Sequence, residues 1–413
     1  MIIDSLIYNG MCSCGKEHKM LTDFCIIESG CLKNIKEYMK KYNLSGFTTA
    51  VYDKNTYAAT SDRHPDIDYE VVLPVENLHA DEHGVDLLSA MLPEQTKILI
   101  AVGSGTIHDI VRYCAYKNSI DFVSCPTAAS VDGFCSSVAA MTWHGCKKTL
   151  TAVAPKIVVA DTDIIKNAPI RLTKSGFGDM IGKYVALADW KISNIISGEY
   201  YCERIADMTL KATKLVESSV ENIFAGDESA FEKLMYGLLL SGIAMQMIGN
   251  SRPASGAEHH ISHMIEMKPE KLGIHSDALH GEKVGVGTLM ALEEYQRLAG
   301  VSQHSFRDYQ EFTEKQIYNV FDGEKAAEII GENSNDAAKS VTAEMMLEAW
   351  KNVCGEINKL PDFEELKYLY DKFDIKSTLS DIDVDNSHKE NLLNYSPMVR
   401  NRLTLMRLRG MIK

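Results

Sequence analysis

Short runs of apolar, β-branched residues alternate with segments of helical periodicity along the first 165 residues of the chain. GFTTAVYD (46–53), KILIAVGSG (97–105), DFVSCPT (121–127) and PKIVVADTD (155–163) read as strands. Between them, CLKNIKEYMKKYN (31–43), VDLLSAML (85–92) and TIHDIVRYCAYKN (106–118) have helical spacing. This rhythm predicts a parallel sheet with helices on both faces. After Pro169 the strand signals stop, and residues 180–196, 231–249, 257–267, 282–299 and 337–353 all read as helices. The expected architecture is a Rossmann-like α/β nucleotide-binding domain over residues 1–168, then an all-helical domain over 169–413. SDIDVDNSHKEN (380–391) reads as a polar linker before a basic terminal helix, expected to be a solvated cap.

At 413 residues the chain exceeds one ordinary core, which agrees with two domains. No apolar run approaches a membrane span, and MIIDSLIYNG lacks the basic flank and cleavage site of a signal peptide, so the expected location is cytoplasmic. A net charge of −14 argues against nucleic acid or an anionic membrane as partner. An anionic ligand must therefore be met by a local, focused site. Ten cysteines without a secretory context are expected to be reduced thiols. The segment Cys12-Ser13-Cys14-Gly15-Lys16-Glu17-His18 has the donors of a partial zinc site that Cys25 or Cys31 would complete. Its spacing fits no closed four-ligand pattern, and an ordinary β-hairpin edge is the preferred reading.

Candidate nucleotide chemistry lies where strands end. Gly103-Ser104-Gly105-Thr106 falls between a strand and a helix, where close backbone approach and unpaired helix N–H groups form a pyrophosphate cradle. The third glycine of the dinucleotide fingerprint is missing, so the motif alone is weak. Asp53, at the end of a strand, suits ribose hydroxyls and favours NAD over NADP; a turn-forming Asp is the competing reading. The loop from Pro126 to Ser137, with Thr127, Ser130, Asp132 and Ser136, follows a strand at the end where ligands sit.

Candidate metal chemistry lies in the helical half. Asp179 in GFGDM, the run Glu258-His259-His260-Ile261-Ser262-His263, and His280 in LHGEK supply one Asp with His partners. Such a set suits Zn²⁺ with an open coordination position, and Ni²⁺ or Fe²⁺ also accept it. His259 and His263 are four apart and share a helix face, whereas His260 is turned about 100° away and is expected to be a packing or surface residue. Spacing leaves the choice between His259 and His263 open. Arg252 and Pro253 precede that helix, which makes Arg252 a candidate phosphate clamp against the plainer reading of a surface loop arginine.

In this order the motifs GSGT, PTAASVDGF, GFGDMIGKY, RPASGAEHHISH and HGEKVGVG resemble the metal-dependent dehydrogenase superfamily that contains glycerol dehydrogenase, glycerol-1-phosphate dehydrogenase and dehydroquinate synthase. The resemblance covers roughly residues 95–290. It is greatest to the bacterial-type glycerol-1-phosphate dehydrogenases, whose RPxSGxEHxxSH and GFGDxxxKYxALADW signatures stand here nearly letter for letter. CSCGKEH also resembles the start of that group.

The resemblance implies a dehydroquinate synthase-like fold, with metal ligands Asp179, His259 and His280 and a substrate-side carboxylate at Asp132. It implies dinucleotide contacts at Gly105, Thr106, Thr127 and Ser136, to which Gly103, Ser104 and Ser130 of the same turn and loop are added. His263 is the expected proton donor, and Lys183, one helical turn after Asp179, is a second candidate for the phosphate. The implied reaction is reversible reduction of dihydroxyacetone phosphate to sn-glycerol 1-phosphate by NADH, or by NADPH. Hydride passes from C4 of the nicotinamide to C2 while one Zn or Ni ion polarises the carbonyl. The family also implies a homo-oligomer.

Two relatives define the alternatives. Dehydroquinate synthases have Glu where Asp179 stands and a Lys where this chain has Val138. Glycerol dehydrogenases share the Asp/His/His set but space their helix histidines by three and use an unphosphorylated polyol.

Overall fold

The computed structural model describes residues 1–143, 146–301 and 305–413, with the backbone alone at 146–147. The chain forms two compact units: residues 1–180 with 207–250, and residues 181–206 with 251–413.

Unit 1 is built on a seven-stranded sheet. Its strands are β1 (Ile2–Asp4), β2 (Phe24–Glu28), β3 (Phe47–Asp53), β4 (Tyr69–Leu73), β5 (Thr96–Gly103), β6 (Asp121–Pro126) and β7 (Ile157–Asp161). They lie in the order β1-β2-β7-β6-β5-β3-β4, parallel throughout except for β1, which pairs antiparallel with β2. The helices α1 (Ile35–Lys41), α2 (Glu82–Met91) and α3 (Gly105–Asn118) supply the connections expected of them.

The alternation of side chains along β5 explains why its sequence is apolar without a break. Ile98, Ile100 and Val102 enter one core with Ile35 and Met39 of α1, while Leu99 and Ala101 enter the other with Val85 of α2 and Ile107 of α3. Both faces are covered, so no polar alternation is needed. Each such aliphatic side chain contributes about 1.5–3 kcal/mol by leaving water.

The sheet has seven strands where the sequence pattern announced four; β1, β2 and β4 were missed, and the apolar run of β2, Phe24–Ile27, is only four residues long. β1 has three residues, and β4 is a five-residue edge strand whose Tyr69 is exposed. Neither presents the apolar run by which the central strands are recognised. The segment around Cys12 folds as the expected hairpin, Gly10–Met11 against Glu17–His18.

The compact units do not part at residue 168, although that is where strands end. Helix α4 (Ile170–Ser197) belongs to unit 1 as far as Met180, and α5 (Glu203–Glu217) rejoins it from Asp207. Helix α6 (Glu228–Ile248) then packs within unit 1. It is apolar around most of its circumference, and its few polar groups are matched to the α/β part. Gln246 Oε1 accepts the N–H groups of Leu21 (2.8 Å) and Thr22 (3.2 Å), and Ser241 Oγ donates to Asp132 at 2.8 Å. A Cβ on Gly242 would lie 2.8 Å from the Asp132 carbonyl oxygen, so this contact needs glycine.

Unit 2 holds the rest of α4, helices α7 (Ala257–Glu266) and α8 (His280–Ala299), and the C-terminal helices. Here α8 runs against α7 so closely that a Cβ on Gly287 would sit 2.6 Å from the Glu258 carbonyl oxygen. The terminal segment corrects the expectation of a solvated cap. Leu405–Leu408 is a buried helical turn, and Arg407 is an internal cation paired with Asp336 at 3.0 Å and bonded to Asn333 and Pro397. Its basic composition reflects these internal partners, not solvent.

Gly176 tests the packing of α4 on the loop after β6, because a Cβ there would lie 2.0 Å from the Ala129 carbonyl oxygen. Gly176→Ala should destabilise the fold by at least about 1–3 kcal/mol in denaturant unfolding. Gly355→Ala, where a Cβ meets nothing within 4 Å, should be neutral or slightly stabilising. Equal unfolding midpoints for the two variants would contradict the packing described.

Candidate active site

In unit 1 the turn from β5 into α3 has the geometry of an anion cradle. Ser104 is the extended N-cap residue of α3, and its side chain makes no capping bond, which leaves the first-turn N–H groups to a ligand. The turn is tight: a Cβ on Gly103 would stand 2.7 Å from Ile107 Cβ. Thr127 N–H donates to the Gly103 carbonyl at 3.0 Å and so ties the loop after β6 to this turn. Gly105 faces Val131 of that loop, its notional Cβ 3.7 Å from Val131 Cγ2.

A buried histidine that the motif reading missed stiffens the turn. His108 Nδ1 lies 2.9 Å from the Ser104 carbonyl and Nε2 lies 2.8 Å from Ser124 Oγ. Burial, and then the neighbouring Arg112 charge, push its pKa down to about 3, so it acts as a neutral hydrogen-bonding brace. The only trace in the sequence is a polar residue on the inner face of α3.

The other unit 1 candidates have mixed positions. Asp53 stands at the carboxyl end of β3, beside β5, where a ribose would be met. It caps the helix Lys54–Ala59, with Oδ1 accepting Thr56 N–H at 2.8 Å, which is the turn-forming role weighed against a ribose contact. Thr127 and Ser130 are buried, and the Ser130 carbonyl accepts Ser175 Oγ at 3.1 Å. The Ser136 hydroxyl closes its own turn, donating to the Val138 carbonyl and accepting Val138 N–H. Asp132 accepts Ser241 Oγ through its carboxylate, and its N–H donates to Asp179 Oδ2 at 3.0 Å. Asp179 is completely buried. The loop and α4 thus fix one another through these two aspartates.

In unit 2 the three histidines of α7 take different roles. His259 Nδ1 lies 2.7 Å from Glu258 Oε1, which also accepts Gly256 N–H at 2.8 Å. His280 Nδ1 lies 2.9 Å from Glu266 Oε1, and His263 Nδ1 lies 3.3 Å from Glu266 Oε2. A carboxylate accepts, so each Nδ1 carries the proton and Nε2 carries the lone pair, the tautomer a metal ligand needs. The His259 and His280 rings are 5.3 Å apart by centroid. His260 is fully buried, and neither ring nitrogen has a hydrogen-bond partner among the described residues, so it is a packing residue and not a surface one.

Glu258 and Glu266 are the site residues that motif matching passed over. Each is read in the sequence only as a charged neighbour of a histidine, since no spacing rule distinguishes a ligand's carboxylate partner. Burial pushes the Glu258 carboxyl up to about 7. Burial acts upward on Glu266 too, but His280 and His263 outweigh it and hold that carboxyl well below its usual range. His263 is lowered to about 4, chiefly by burial, and is neutral near pH 7.

Lys183 and Arg252 serve the loop ahead of α7. Lys183 is wholly buried and donates to the Ala254 carbonyl at 3.1 Å. Arg252 is buried as well: Nε donates to Glu199 Oε1 at 2.7 Å, Nη1 to the Leu403 carbonyl at 2.9 Å, and Nη2 to Ser193 and Glu199. The surface-arginine reading is therefore excluded, and this guanidinium already has protein partners. Beside it, Arg402 donates to the Ser255 carbonyl and to Ser251 Oγ.

Residues 26–169 match the family model described as iron-containing alcohol dehydrogenase. The glycerol-1-phosphate dehydrogenase (NAD(P)+) of Bacillus licheniformis is 37% identical over 333 residues, covering 77% of this chain and 82% of that protein. The protein of the same name from Pyrococcus horikoshii is 34% identical over 288 residues, covering 68% of this chain and 80% of its own. A probable glycerol dehydrogenase from Sinorhizobium meliloti 1021 is similar in structure, with a TM-score of 0.62 and 17% identity over 92% of this chain and 90% of that one. At that identity the likeness shows the fold alone, an α/β half followed by a helical half, which the chain shares with solved glycerol and alcohol dehydrogenases. Within that class, the chain belongs to the glycerol-1-phosphate dehydrogenase family. A nicotinamide dinucleotide and a divalent metal are its implied cofactors, and the paired imidazoles of unit 2 are suitable nitrogen donors for the metal.

Replacing Glu266 or Glu258 by Gln keeps the size of the side chain but removes the charge that orients its histidine. Either variant should weaken metal binding by about 10–100-fold in a chelator competition. Affinity unchanged in both would show that the carboxylates do not set the ligands.

Proposed function

We propose that this chain reduces dihydroxyacetone phosphate to sn-glycerol 1-phosphate, reversibly, with NADH or NADPH as hydride donor. The metal is held by Asp179, His259 and His280. The observation that most supports this is the carboxylate behind each imidazole, Glu258 at 2.7 Å from His259 and Glu266 at 2.9 Å from His280. Asp179 adds one anionic oxygen to two neutral nitrogens, a set that keeps a position open for substrate.

When bound, the metal supplies Lewis acidity at the carbonyl and the dinucleotide supplies the hydride. The chain's own groups do the rest. The turn Gly103–Thr106, with Thr127 and Ser130, grips the pyrophosphate, and Asp53 meets the ribose. Asp132, held by Ser241, offers its carboxylate on the substrate side. The new C2 oxygen takes its proton from water, and His263, the donor candidate of the motif, acts as a neutral imidazole that orients that water through its Nε2 lone pair. Its Nδ1–H is held by Glu266, which also holds Nδ1 of His280.

The phosphate falls to the loop at 251–256. Arg402 has its pKa pushed down to about 9 by burial and then by the charges of Arg252 and Arg400. Guanidinium groups that repel one another gain when an anion arrives, and Glu199 neutralises only part of this charge. Arg252 then acts as much through its charge as through any donor, and Lys183 positions the same loop. We carry forward the cytoplasmic homo-oligomer expected above. Among the described residues, no helix is long and apolar enough to cross a membrane.

NADH absorbance decides the reaction class. Oxidation of NADH with dihydroxyacetone phosphate, abolished by chelator and restored by Zn²⁺ or Ni²⁺, is the expected result. Equal kcat/KM with unphosphorylated dihydroxyacetone would point to a polyol dehydrogenase, and no net NADH oxidation to a dehydroquinate synthase-like lyase. Arg402→Ala and Arg252→Ala should each raise KM for the phosphorylated substrate by roughly tenfold or more, the worth of one charge-assisted hydrogen bond. KM for NADH should hardly change; a parallel rise in both would contradict the phosphate assignment.

A further inference from the structure

The dehydrogenase reading gives no role to the hairpin at the start of the chain, whose side chains are nevertheless arranged as a ligand set. Cys12 N–H donates to the Lys16 carbonyl and Gly15 N–H to the Cys12 carbonyl, both at 3.0 Å. Gly15 takes φ +86°, which a residue with a side chain rarely adopts, so the turn is specified by its glycine. The tight turn brings Cys14 Sγ to 3.2 Å from His18 Nε2. The ligand atoms of Cys12, Cys14 and His18 all lie within 4.8 Å of one another. His18 is 2% exposed and its Nδ1 is 2.9 Å from the Met247 carbonyl. A carbonyl only accepts, so Nδ1 carries the proton and the Nε2 lone pair is directed at the cysteines. This is the outer partner that fixes a metal-binding imidazole.

We propose that Cys12, Cys14 and His18 bind a zinc ion that clamps the hairpin. Tetrahedral zinc with bonds of about 2.3 Å to sulfur and about 2.0 Å to nitrogen sets sulfur and nitrogen roughly 3.5 Å apart, close to the Cys14–His18 spacing. Cys25 and Cys31, the partners suggested by proximity in sequence, sit in the sheet core, where burial foremost raises both thiols and keeps them protonated. Such a site clamps a hairpin with strands of two residues each, too short to hold itself.

The competing account is a plain S–H···N hydrogen bond between Cys14 and His18. Cobalt substitution in the full-length protein separates the two, because thiolate–Co²⁺ charge transfer gives near-ultraviolet absorbance that a site of oxygen and nitrogen donors lacks. Elemental analysis of wild-type protein should find about two metal equivalents per chain, and the cobalt form should show the charge-transfer band. Cys12→Ser, Cys14→Ser and His18→Asn should each fall to about one equivalent with the band weakened or lost, while Cys354→Ser should match wild type. Wild-type protein with one equivalent and no band overturns the proposal. So do variants that retain the second metal. Should the hairpin variants fail to fold, the wild-type spectrum alone still decides.

Discussion

The candidate chemistry depends on two carboxylate–imidazole pairs, the buried Glu258 with His259 and the partly buried Glu266 with His280. A neutral histidine can present either nitrogen, and only an outer partner decides which. Here helix packing fixes the partners. Helices α7 and α8 approach so closely at Gly287 that the Glu258 backbone lies against α8, and Glu266 at the end of α7 reaches His280 at the start of α8. Two adjacent helices therefore fix two imidazoles in one tautomer before any metal arrives. That preorganisation lowers the cost of binding and leaves Lewis acidity available at the open position.

Charge is handled by the same economy of partners. The chain carries a net −14 but accepts an anionic triose phosphate in the proposed reaction. A global positive field is unnecessary when Arg252, Arg400 and Arg402 are concentrated around one loop. Burial first, and then the charges of Arg252 and Arg400, hold the Arg402 pKa down. Glu199 keeps the cluster from flying apart in the free protein, while Lys183 and Arg402 hold the loop's carbonyls.

The sequence exposed the parts of the fold that repeat a simple period. β5 and β6 were evident because burial on both faces demands unbroken apolar residues, and α7 and α8 because their histidines and glycines fall in dense motifs. β1 and β4 escaped because short edge strands satisfy no such demand. The unit boundary escaped for a different reason: α6 carries its polar contacts, Gln246 and Ser241, at positions that look like an ordinary buried helix until their partners at Thr22 and Asp132 are seen. Ligand candidates were legible as residue types, yet Glu258, Glu266 and His108 were not. Each acts on a neighbour through one hydrogen bond, and no spacing encodes that. The terminal basic segment misled because Arg407 is buried opposite Asp336, a pairing 71 residues apart in the chain.

The tautomers of the unit 2 histidines test this account most directly. Imidazole ¹⁵N spectra of the metal-free full chain should show His259 and His280 already protonated at Nδ1. Added Zn²⁺ should then shift Nε2 of those two rings and leave His260 unmoved. Nε2-protonated rings in the metal-free protein, or a zinc response at His263 in place of His259, would contradict it.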